Sequence, residues 1–221
     1  MKVIAVVPVK SLEASKRRLS AVFDPHAREM LTVAMLEAVL KSLSKSVVHE
    51  IVVVSDDSTV QQAANRLDAS CISAERMGLN SAIEEATEWC IWNHADSVLI
   101  LPADIPLVSP NDINTIVKLG SERNTLVLSP SADGGTNAFL RNPPNLMLPR
   151  FGPDSFINHV GAARSKGIRV RFYFSLGIAL DIDSVEDLDR LLGLENSAIG
   201  KRLLEQSPMF GAIRRFPAGS Q

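Results

Sequence analysis

The feature that most constrains the fold is an apolar run that ends in an acid between two prolines, Val98-Leu99-Ile100-Leu101-Pro102-Ala103-Asp104-Ile105-Pro106. Its four consecutive apolar residues predict a strand that is buried on both faces, as in the centre of a parallel sheet. Pro102 cannot extend the hydrogen-bond ladder, and Pro106 favours an extended conformation at Ile105. Asp104 is therefore expected just past the carboxyl end of a central strand, where open α/β sheets bind their ligands.

Two roles are open to Asp104. A carboxylate at that position suits a hard divalent cation such as Mg²⁺, which takes oxygen ligands and usually bridges to phosphate groups. The alternative is that Asp104 only caps a turn, which is a common role of aspartate. Position alone does not choose between a metal ligand and a cap.

Length and composition exclude several classes of protein. The chain has 221 residues, 46% of them hydrophobic, which suits one large domain or two small ones. No apolar run approaches the ~20 residues that cross a bilayer, and the first run ends too early for a secretory signal. Cys71 and Cys90 have no CxxC spacing, so we expect neither a disulfide framework nor a zinc site, and we expect a reducing cytoplasm. A formal net charge of −2 gives no indication of nucleic-acid binding.

Strand and helix patterns alternate along the chain. Strands are predicted at residues 3–7, 51–54, 98–101, 125–129 and 168–174. Helices are predicted to begin near Asp24-Pro25, Ser55-Asp56-Asp57-Ser58, Gly78-Leu79-Asn80, Pro110-Asn111-Asp112, Gly152-Pro153 and Ser184. This alternation predicts a single doubly wound α/β domain, with a mostly parallel sheet and helices on both faces.

A basic loop follows the first predicted strand. It contains Lys10, Lys16, Arg17 and Arg18. Lysine and arginine pair with phosphate oxygens, so the loop is a candidate cradle for a triphosphate, the alternative being a solvated charged loop. Neither the P-loop nor the dinucleotide fingerprint is present in the sequence.

Three further segments offer groups for a ligand. Gly78 lets the backbone approach a ligand closely, and Asn80 reads a base edge or a ribose hydroxyl, or else caps the helix. The glycines of Asp133-Gly134-Gly135-Thr136-Asn137 form an anion-binding nest, a hairpin turn, or both. Gly152-Pro153-Asp154-Ser155 begins a helix whose first turn offers N–H groups to an anion.

A second carboxylate that binds the same cation as Asp104 is expected after the last predicted strand. Asp181 and Asp183 alternate along an extended segment, so we expect their side chains to point to opposite faces and only one of them to face the same cation as Asp104. Ser184 and Asp187 resemble a capping box for the helix that follows them.

Other polar residues are interpreted as structural. Asp56 and Asp57 are assigned to capping at a strand-to-helix junction. His159 is interpreted as a neutral residue that lies on the surface or supports the site from behind. Cys90 lies on the apolar stripe of its helix and is assigned to the core.

Six blocks of the sequence are informative when they are taken together. They are Val7-Pro8-Val9-Lys10 with Ser15-Lys16-Arg17-Arg18-Leu19, Gly78-Leu79-Asn80, Leu101-Pro102-Ala103-Asp104-Ile105-Pro106, Asp133-Gly134-Gly135-Thr136-Asn137, Phe151-Gly152-Pro153-Asp154-Ser155-Phe156 and Asp181-Ile182-Asp183-Ser184-Val185-Glu186-Asp187-Leu188. Together these blocks resemble the 2-phospho-L-lactate guanylyltransferases of coenzyme F420 synthesis, in the nucleotide-diphospho-sugar transferase superfamily. Many members of that superfamily have a glycine-rich loop after the first strand, where this chain has Pro8-Val9-Lys10-Ser11-Leu12-Glu13, as in the phospholactate branch. Sugar-phosphate and molybdopterin nucleotidyltransferases are therefore weaker matches.

The resemblance implies a reaction and a set of roles. GTP and 2-phospho-L-lactate would condense to lactyl-2-diphospho-5′-guanosine and pyrophosphate, and a related branch uses phosphoenolpyruvate instead. Two rivals are a catalytically silent GTP-binding module and a glycosyltransferase of similar fold. The roles carried over are Mg²⁺ binding by Asp104 and Asp183, phosphate binding by Lys16 and Arg18, nucleotide binding by Pro8, Val9, Lys10, Gly78 and Asn80, and acid binding by Thr136, Gly152 and Ser155.

Residues 191–221 lie outside these blocks and are interpreted as a C-terminal extension. Many large apolar side chains in it are not expected to face water on a monomer, which predicts a homodimer. The alternative is that the extension folds back on its own domain. The side chains in question are Leu191, Leu192, Leu203, Leu204, Met209, Phe210, Ile213 and Phe216.

Overall fold

A seven-stranded sheet lies at the centre of the computed structural model, which describes residues 1–12 and 16–193. The spatial order of its strands is β3-β2-β1-β4-β6-β5-β7. β1 pairs in parallel with β2 and β4, β2 with β3, and β5 with β7, whereas β6 runs antiparallel to both β4 and β5. The strands are β1 (Val3–Pro8), β2 (Glu50–Val54), β3 (Ser70–Ile72), β4 (Ser97–Ile100), β5 (Thr125–Pro130), β6 (Thr136–Asn142) and β7 (Arg169–Phe172).

Apart from the short helix Leu176–Ala179, which was not predicted, the helices begin near the predicted positions. The Asp24 carboxylate accepts a hydrogen bond from Ala27 N at the start of the first helix, and the Ser109 hydroxyl and Asp112 form a capping box at the fourth. Ser184 and Asp187 bond reciprocally at the last helix, as predicted. The helices are α1 (Pro25–Ser44), α2 (Ser58–Asn65), α3 (Leu79–Trp92), α4 (Pro110–Leu119), α5 (Ser155–Ser165), α6 (Leu176–Ala179) and α7 (Val185–Gly193), and Arg17–Leu19 forms a 3₁₀ turn.

The sheet is covered on both faces. Alternate residues of β1 point to opposite sides. Val3, Ala5 and Val7 pack with residues of α1, α2 and α4, whereas Ile4 and Val6 pack with residues of α3 and α5. The predicted doubly wound α/β domain with a mostly parallel sheet is confirmed.

β6 was not predicted as a strand. Its sequence carries polar residues at both ends and an arginine, so it does not have the pattern of a buried strand, yet all seven residues are buried. Arg141 is fully buried and donates to the Glu84 carboxylate at 2.9 Å and to the Met147 carbonyl at 2.7 Å. These contacts stabilise a charge in the core that would otherwise be costly to bury.

The C-terminal extension is described only as far as residue 193. Leu191 is fully buried and packs in a cluster with Leu19, Leu107 and Ile182, so this part of the extension belongs to the domain. Residues 194–221, which carry most of the homodimer prediction, lie outside the described residues. Within residues 1–12 and 16–193, no helix has the length and apolar character needed to cross a membrane.

Candidate active site

A cavity of about 460 Å³ opens beyond the carboxyl ends of β1 and β4. Because β6 is antiparallel to β4, its first residue, Thr136, lies at the same edge of the sheet. The cavity therefore joins groups from both halves of the chain. The predicted site residues that line it are Pro8, Val9, Lys10, Lys16, Asp104, Thr136, Gly152, Ser155 and Asp183.

A charged cluster of Lys16, Asp104 and Asp183 forms one side of this cavity. The Lys16 ammonium donates to Asp104 Oδ2 at 2.8 Å and to Asp183 Oδ1 at 2.5 Å. Burial acts to lower the pKa of Lys16, but the two carboxylates outweigh it and the pKa is raised. Lys16 therefore stays protonated and holds the two carboxylates around one positive charge.

Asp181 also lines the cavity, so the expectation that Asp181 and Asp183 point to opposite faces is wrong, whereas the expectation that only one of them binds the cation stays a prediction. Residues two apart in an extended segment project to the same side. The residue between them, Ile182, is fully buried in the core, and its N–H donates to the Asp104 carbonyl at 3.0 Å. Burial, and then the nearby Asp104 charge, raises the pKa of Asp181 to about 6.

A hydroxyl cluster consists of Thr136 and Ser155, which line the cavity, and of His159, which contacts Thr136 but does not line the cavity. Ser155 Oγ lies 3.1 Å from Thr136 Oγ1, and His159 Nδ1 lies 3.0 Å from the same oxygen. Arg150 N donates to His159 Nε2 at 2.8 Å. Burial, then the positive charges of Arg141 and Arg150, lowers the pKa of His159 to about 4.

His159 is fully buried, so its interpretation as a surface residue is wrong. The other interpretation, a neutral residue that supports the site, agrees with these contacts. The sequence spacing indicates that His159 lies beside Ser155, because residues four apart on a helix lie on the same face and His159 follows Ser155 by four.

The glycine loop is a hairpin turn between β5 and β6. Gly134 N donates to the Ser131 carbonyl at 3.4 Å, and Gly135 N donates to Asp133 Oδ1 at 3.1 Å. The hairpin interpretation is therefore correct, and these two N–H groups are used within the loop rather than presented as a nest. The Gly134 carbonyl accepts from Phe156 N at 3.3 Å, which ties the hairpin to α5.

The start of α5 offers fewer N–H groups than its sequence indicates. Ser155 N donates to the Gly152 carbonyl at 3.2 Å, and Phe156 N is used by the hairpin. Gly152 has a φ of 136°, in the region that favours glycine, and lines the cavity. The Ser155 hydroxyl and the Gly152 backbone are thus the groups that this segment brings to the site.

A second cavity of about 520 Å³ adjoins the first along Pro8, Val9 and Lys10. Gly78 lines it and has a φ of 98°. Asp56 also lines it and makes no hydrogen bond or ion pair with its carboxylate among the described residues, so the capping role assigned to Asp56 is wrong.

The capping role assigned to Asp57 is confirmed. Its carboxylate accepts from Thr59 N at 2.9 Å at the start of α2. It also accepts from Leu12 N at 3.1 Å, which ties the loop after β1 to the loop after β2.

Two predicted site residues line neither cavity. Asn80 Nδ2 donates to the Phe151 carbonyl at 3.0 Å, and Phe151 N donates to Asn80 Oδ1 at 2.8 Å. Both ends of the Asn80 amide are thus used to hold the segment before Gly152, which disfavours base reading and helix capping alike. Arg18 is exposed. The pKa of Asp133 is lowered chiefly by the hydrogen bonds from the Ser131 hydroxyl and Gly135 N, and the positive charge of Arg18 adds a smaller contribution.

The family described as "CofC: Guanylyl transferase CofC like" matches residues 1–206. The chain belongs to this family of guanylyl transferases. The chain is 42% identical over 192 residues to the phosphoenolpyruvate guanylyltransferase of Rubrobacter xylanophilus, covering 86% of this chain and 94% of the relative. It is 35% identical over 193 residues to the 2-phospho-L-lactate guanylyltransferase of Methanothermobacter thermautotrophicus, covering 87% and 85%.

Solved structures show the same fold at low sequence identity. A nucleotidyl transferase from Methanothermobacter thermautotrophicus has a TM-score of 0.69 at 17% identity, covering 92% of this chain and 98% of that one. A cytidylyltransferase from Leptospira borgpetersenii has a TM-score of 0.61 at 14% identity, covering 100% and 99%. The predicted nucleotidyltransferase fold is confirmed.

Proposed function

We propose that the chain transfers the guanylyl group of GTP to the phosphate of a phosphorylated three-carbon acid, 2-phospho-L-lactate or phosphoenolpyruvate, in coenzyme F420 synthesis. The observation that carries the proposal is one cavity in which the charged cluster and the hydroxyl cluster line the same space. Membership of the guanylyl transferase family supports the type of reaction.

The reaction needs position and charge more than proton transfer. An oxygen of the acid's phosphate forms a bond to the α-phosphorus of GTP, and the bond from that phosphorus to the oxygen of the β-phosphate breaks. Pyrophosphate leaves with the electron pair. The attacking phosphate is already ionised at neutral pH, so no general base is needed and no covalent intermediate forms on the protein. Catalysis rests on holding two anions in line and neutralising the charge on the leaving group.

The charged cluster fits a magnesium ion. Mg²⁺ commonly binds one or two carboxylates and completes its shell with substrate phosphates and water. Asp104 and Asp183 already share one cation, the Lys16 ammonium, and residues 1–12 and 16–193 contain no group of three or more acidic, histidine or cysteine side chains that could hold a metal alone. Bound to Asp104 and Asp183, Mg²⁺ supplies charge neutralisation to the phosphates of both reactants.

Lys16 and Arg18 are proposed to bind the β- and γ-phosphates. In the part of the chain that the structure describes, the Lys16 ammonium is held by two carboxylate side chains, so it can exchange a carboxylate for a phosphate oxygen. Arg18 is exposed at the end of the 3₁₀ turn and must turn toward the cavity to reach the same phosphates.

The acid is proposed to bind at the hydroxyl cluster. One hydroxyl of the Thr136–Ser155 pair and the Gly152 N–H, which has no acceptor in the described part of the chain, donate to its anionic oxygens. Asn80 acts on this subsite only indirectly, through its two hydrogen bonds to Phe151.

The guanosine is proposed to bind in the second cavity, beside Pro8, Val9 and Gly78, with Lys10 at the junction of the two cavities. Guanine is expected to be favoured over adenine. A comparison of the four nucleoside triphosphates at equal concentration tests this expectation, and equal use of ATP contradicts it.

We expect the shape of the apolar part of the pocket to determine which acid is preferred. The two acids share a phosphate and a carboxylate and differ at the carbon between them, a difference of the size worth ~1–3 kcal/mol in a pocket. The sequence blocks favour 2-phospho-L-lactate, whereas the 42% identity to a phosphoenolpyruvate guanylyltransferase favours phosphoenolpyruvate. We expect activity on both acids, and the ratio of the two kcat/KM values decides the preference.

The deciding experiment measures pyrophosphate release from GTP and Mg²⁺ with each acid in turn. Release that depends on the acid supports the proposal. GTP binding without release with either acid indicates a silent binding module. Release of a nucleoside diphosphate from a sugar nucleotide indicates a glycosyltransferase.

The proposal also includes a cellular location and an oligomeric state. Cys71 and Cys90 are free thiols, which is compatible with the reducing cytoplasm that we propose. The homodimer also remains a proposal. Light scattering that gives a 24 kDa particle at every concentration would contradict it.

A further inference from the structure

His159 has two polar ring atoms and no contact with solvent. Its side chain is fully buried on α5 between two aromatic rings, with centroid distances of 4.5 Å to Phe139 and 5.2 Å to Phe151. Buried polar atoms require hydrogen-bond partners, and both ring nitrogens have one. The identities of those partners determine where the proton of the ring lies.

The backbone N–H of Arg150 sets the tautomer. It points at His159 Nε2 over 2.8 Å, and a backbone N–H can only donate. Nε2 must therefore accept, which requires an unprotonated nitrogen. The neutral ring then carries its single proton on Nδ1, and Nδ1 must donate to Thr136 Oγ1 at 3.0 Å.

The tautomer in turn controls the two hydroxyl protons beside it. Thr136 Oγ1 and Ser155 Oγ are 3.1 Å apart, so one of their protons is used between them. If Nδ1 accepted, the Thr136 proton would go to the ring and the Ser155 proton to Thr136, which leaves none for a ligand. Because Nδ1 donates, one hydroxyl proton remains free.

We propose that His159 is a positioning residue for the phosphorylated acid. The Arg150 backbone holds its ring in the Nδ1–H form, and the ring in that form directs one hydroxyl proton of the Thr136–Ser155 pair into the cavity, where it binds an anionic oxygen of the acid. Both hydroxyl residues line the cavity, whereas His159 does not. The identity of the anion rests on the proposed function, whereas the assignment of the tautomer does not.

The tautomer is tested first, by ¹⁵N NMR of the histidine rings in the full chain. The chain has four histidines, and the resonances lost in His159→Asn assign the ring. At pH 7 we expect a protonated Nδ1 and an unprotonated Nε2, and at pH 6 an uncharged ring. The charged groups that act on the ring, Arg141 and Arg150, both oppose its protonation. A protonated Nε2 or a charged ring at pH 7 overturns the inference, whatever the activity.

Two substitutions then test the effect on the ligand. Asparagine places an amide near the Nδ1 position and can still donate to Thr136, whereas glutamine reaches the Nε2 position and loses that contact. We expect His159→Gln to raise KM for the acid about tenfold, the usual size for loss of one hydrogen bond to a charged group, with KM for GTP within about twofold. His159→Asn is expected to keep KM for the acid within about threefold.

The control is His26→Gln, at an exposed histidine at the start of α1, which should change neither KM. Equal effects of His159→Asn and His159→Gln, or a joint rise of both KM values, overturn the positioning role. If the wild-type chain releases no pyrophosphate with either acid, the proposed function fails, and the NMR measurement still decides the tautomer.

Discussion

The charged cluster and the hydroxyl cluster line one cavity but are built differently. In the charged cluster the side chains of Asp104 and Asp183 are 26% and 49% exposed, and they meet at the Lys16 side chain, which is 6% exposed. In the hydroxyl cluster Thr136, Ser155 and His159 are 6%, 1% and 0% exposed. Each of these three side chains is held by hydrogen bonds to the others or to backbone.

This difference indicates two ways of binding an anion. Under the proposed function, the charged cluster must exchange partners to bind Mg²⁺, since the Lys16 ammonium lies between the same two carboxylates. The hydroxyl cluster is already in place, which reduces the ordering that binding must impose. We therefore expect substitutions in the charged cluster to act mainly on turnover and metal dependence, and substitutions in the hydroxyl cluster to act on acid binding and stability.

Asp104→Asn should have the largest effect. Loss of one carboxylate ligand to a catalytic metal is worth several kcal/mol, so kcat should fall about 10³-fold. The matched control is Asp96→Asn, an acid that immediately precedes β4, whereas Asp104 follows it. Steady-state kinetics at saturating Mg²⁺ measure both variants, and near-normal turnover of Asp104→Asn would remove this residue from the metal site.

His159 should make the stability of the chain depend on pH. An unfolded histidine binds a proton below pH ~6.5, but the folded ring has its pKa lowered to about 4. The unfolded state therefore binds more protons than the folded state between these values. The stabilisation is complete above pH ~6.5 and is lost as the pH falls toward 4, by about 3 kcal/mol.

Urea unfolding from pH 7 to pH 4 measures this loss. The free energy of unfolding of the wild type should fall about 3 kcal/mol further than that of His159→Asn, because carboxylates that titrate over the same range are common to both chains. Parallel pH profiles of the two chains would show that the ring titrates normally.

Lys16→Gln should sharpen the contrast between the clusters. The loss of a charge from the phosphates is expected to slow turnover about a hundredfold. It also leaves Asp104 and Asp183 without their shared cation, so Mg²⁺ should raise the Tm of the variant more than that of the wild type. Lys41→Gln, which removes a surface lysine paired with Glu37, is the control. The same shift of Tm with Mg²⁺ in all three chains would contradict cation binding between the carboxylates.

Asn80→Ala should have the smallest effect. It removes two hydrogen bonds to the Phe151 backbone and should lower the free energy of unfolding by about 1–2 kcal/mol. KM for the acid is expected to rise two- to threefold because Gly152 follows Phe151, while the preference for GTP over ATP stays unchanged. A loss of base preference in this variant would place Asn80 at the nucleotide after all.

The most predictable elements were β1, β2 and β4 in the parallel part of the sheet, whereas the short parallel strand β3 was not predicted. β1, β2 and β4 are apolar runs, and a parallel strand buried on both faces is apolar along its whole length. The acid after β4 was found for the same reason, since a polar residue that follows such a run lies at its carboxyl end. β6 could not be found in this way, because Arg141 has the pattern of an exposed residue, and its burial depends on its partners Glu84 and Met147, which lie outside the strand.

The amino-acid sequence by itself determined the alternation of strands and helices, the caps at Asp24 and Ser184, and the placement of Asp104 beyond a buried strand. These depend on contacts between residues close in the chain or on burial of whole apolar runs. Only the tertiary structure decided that Lys16 lies between Asp104 and Asp183, that Asn80 holds Phe151, and that His159 donates to Thr136. Each of these contacts joins residues that are at least 23 positions apart, and a hydrogen bond depends on the angle and distance at which the folded chain presents the two groups.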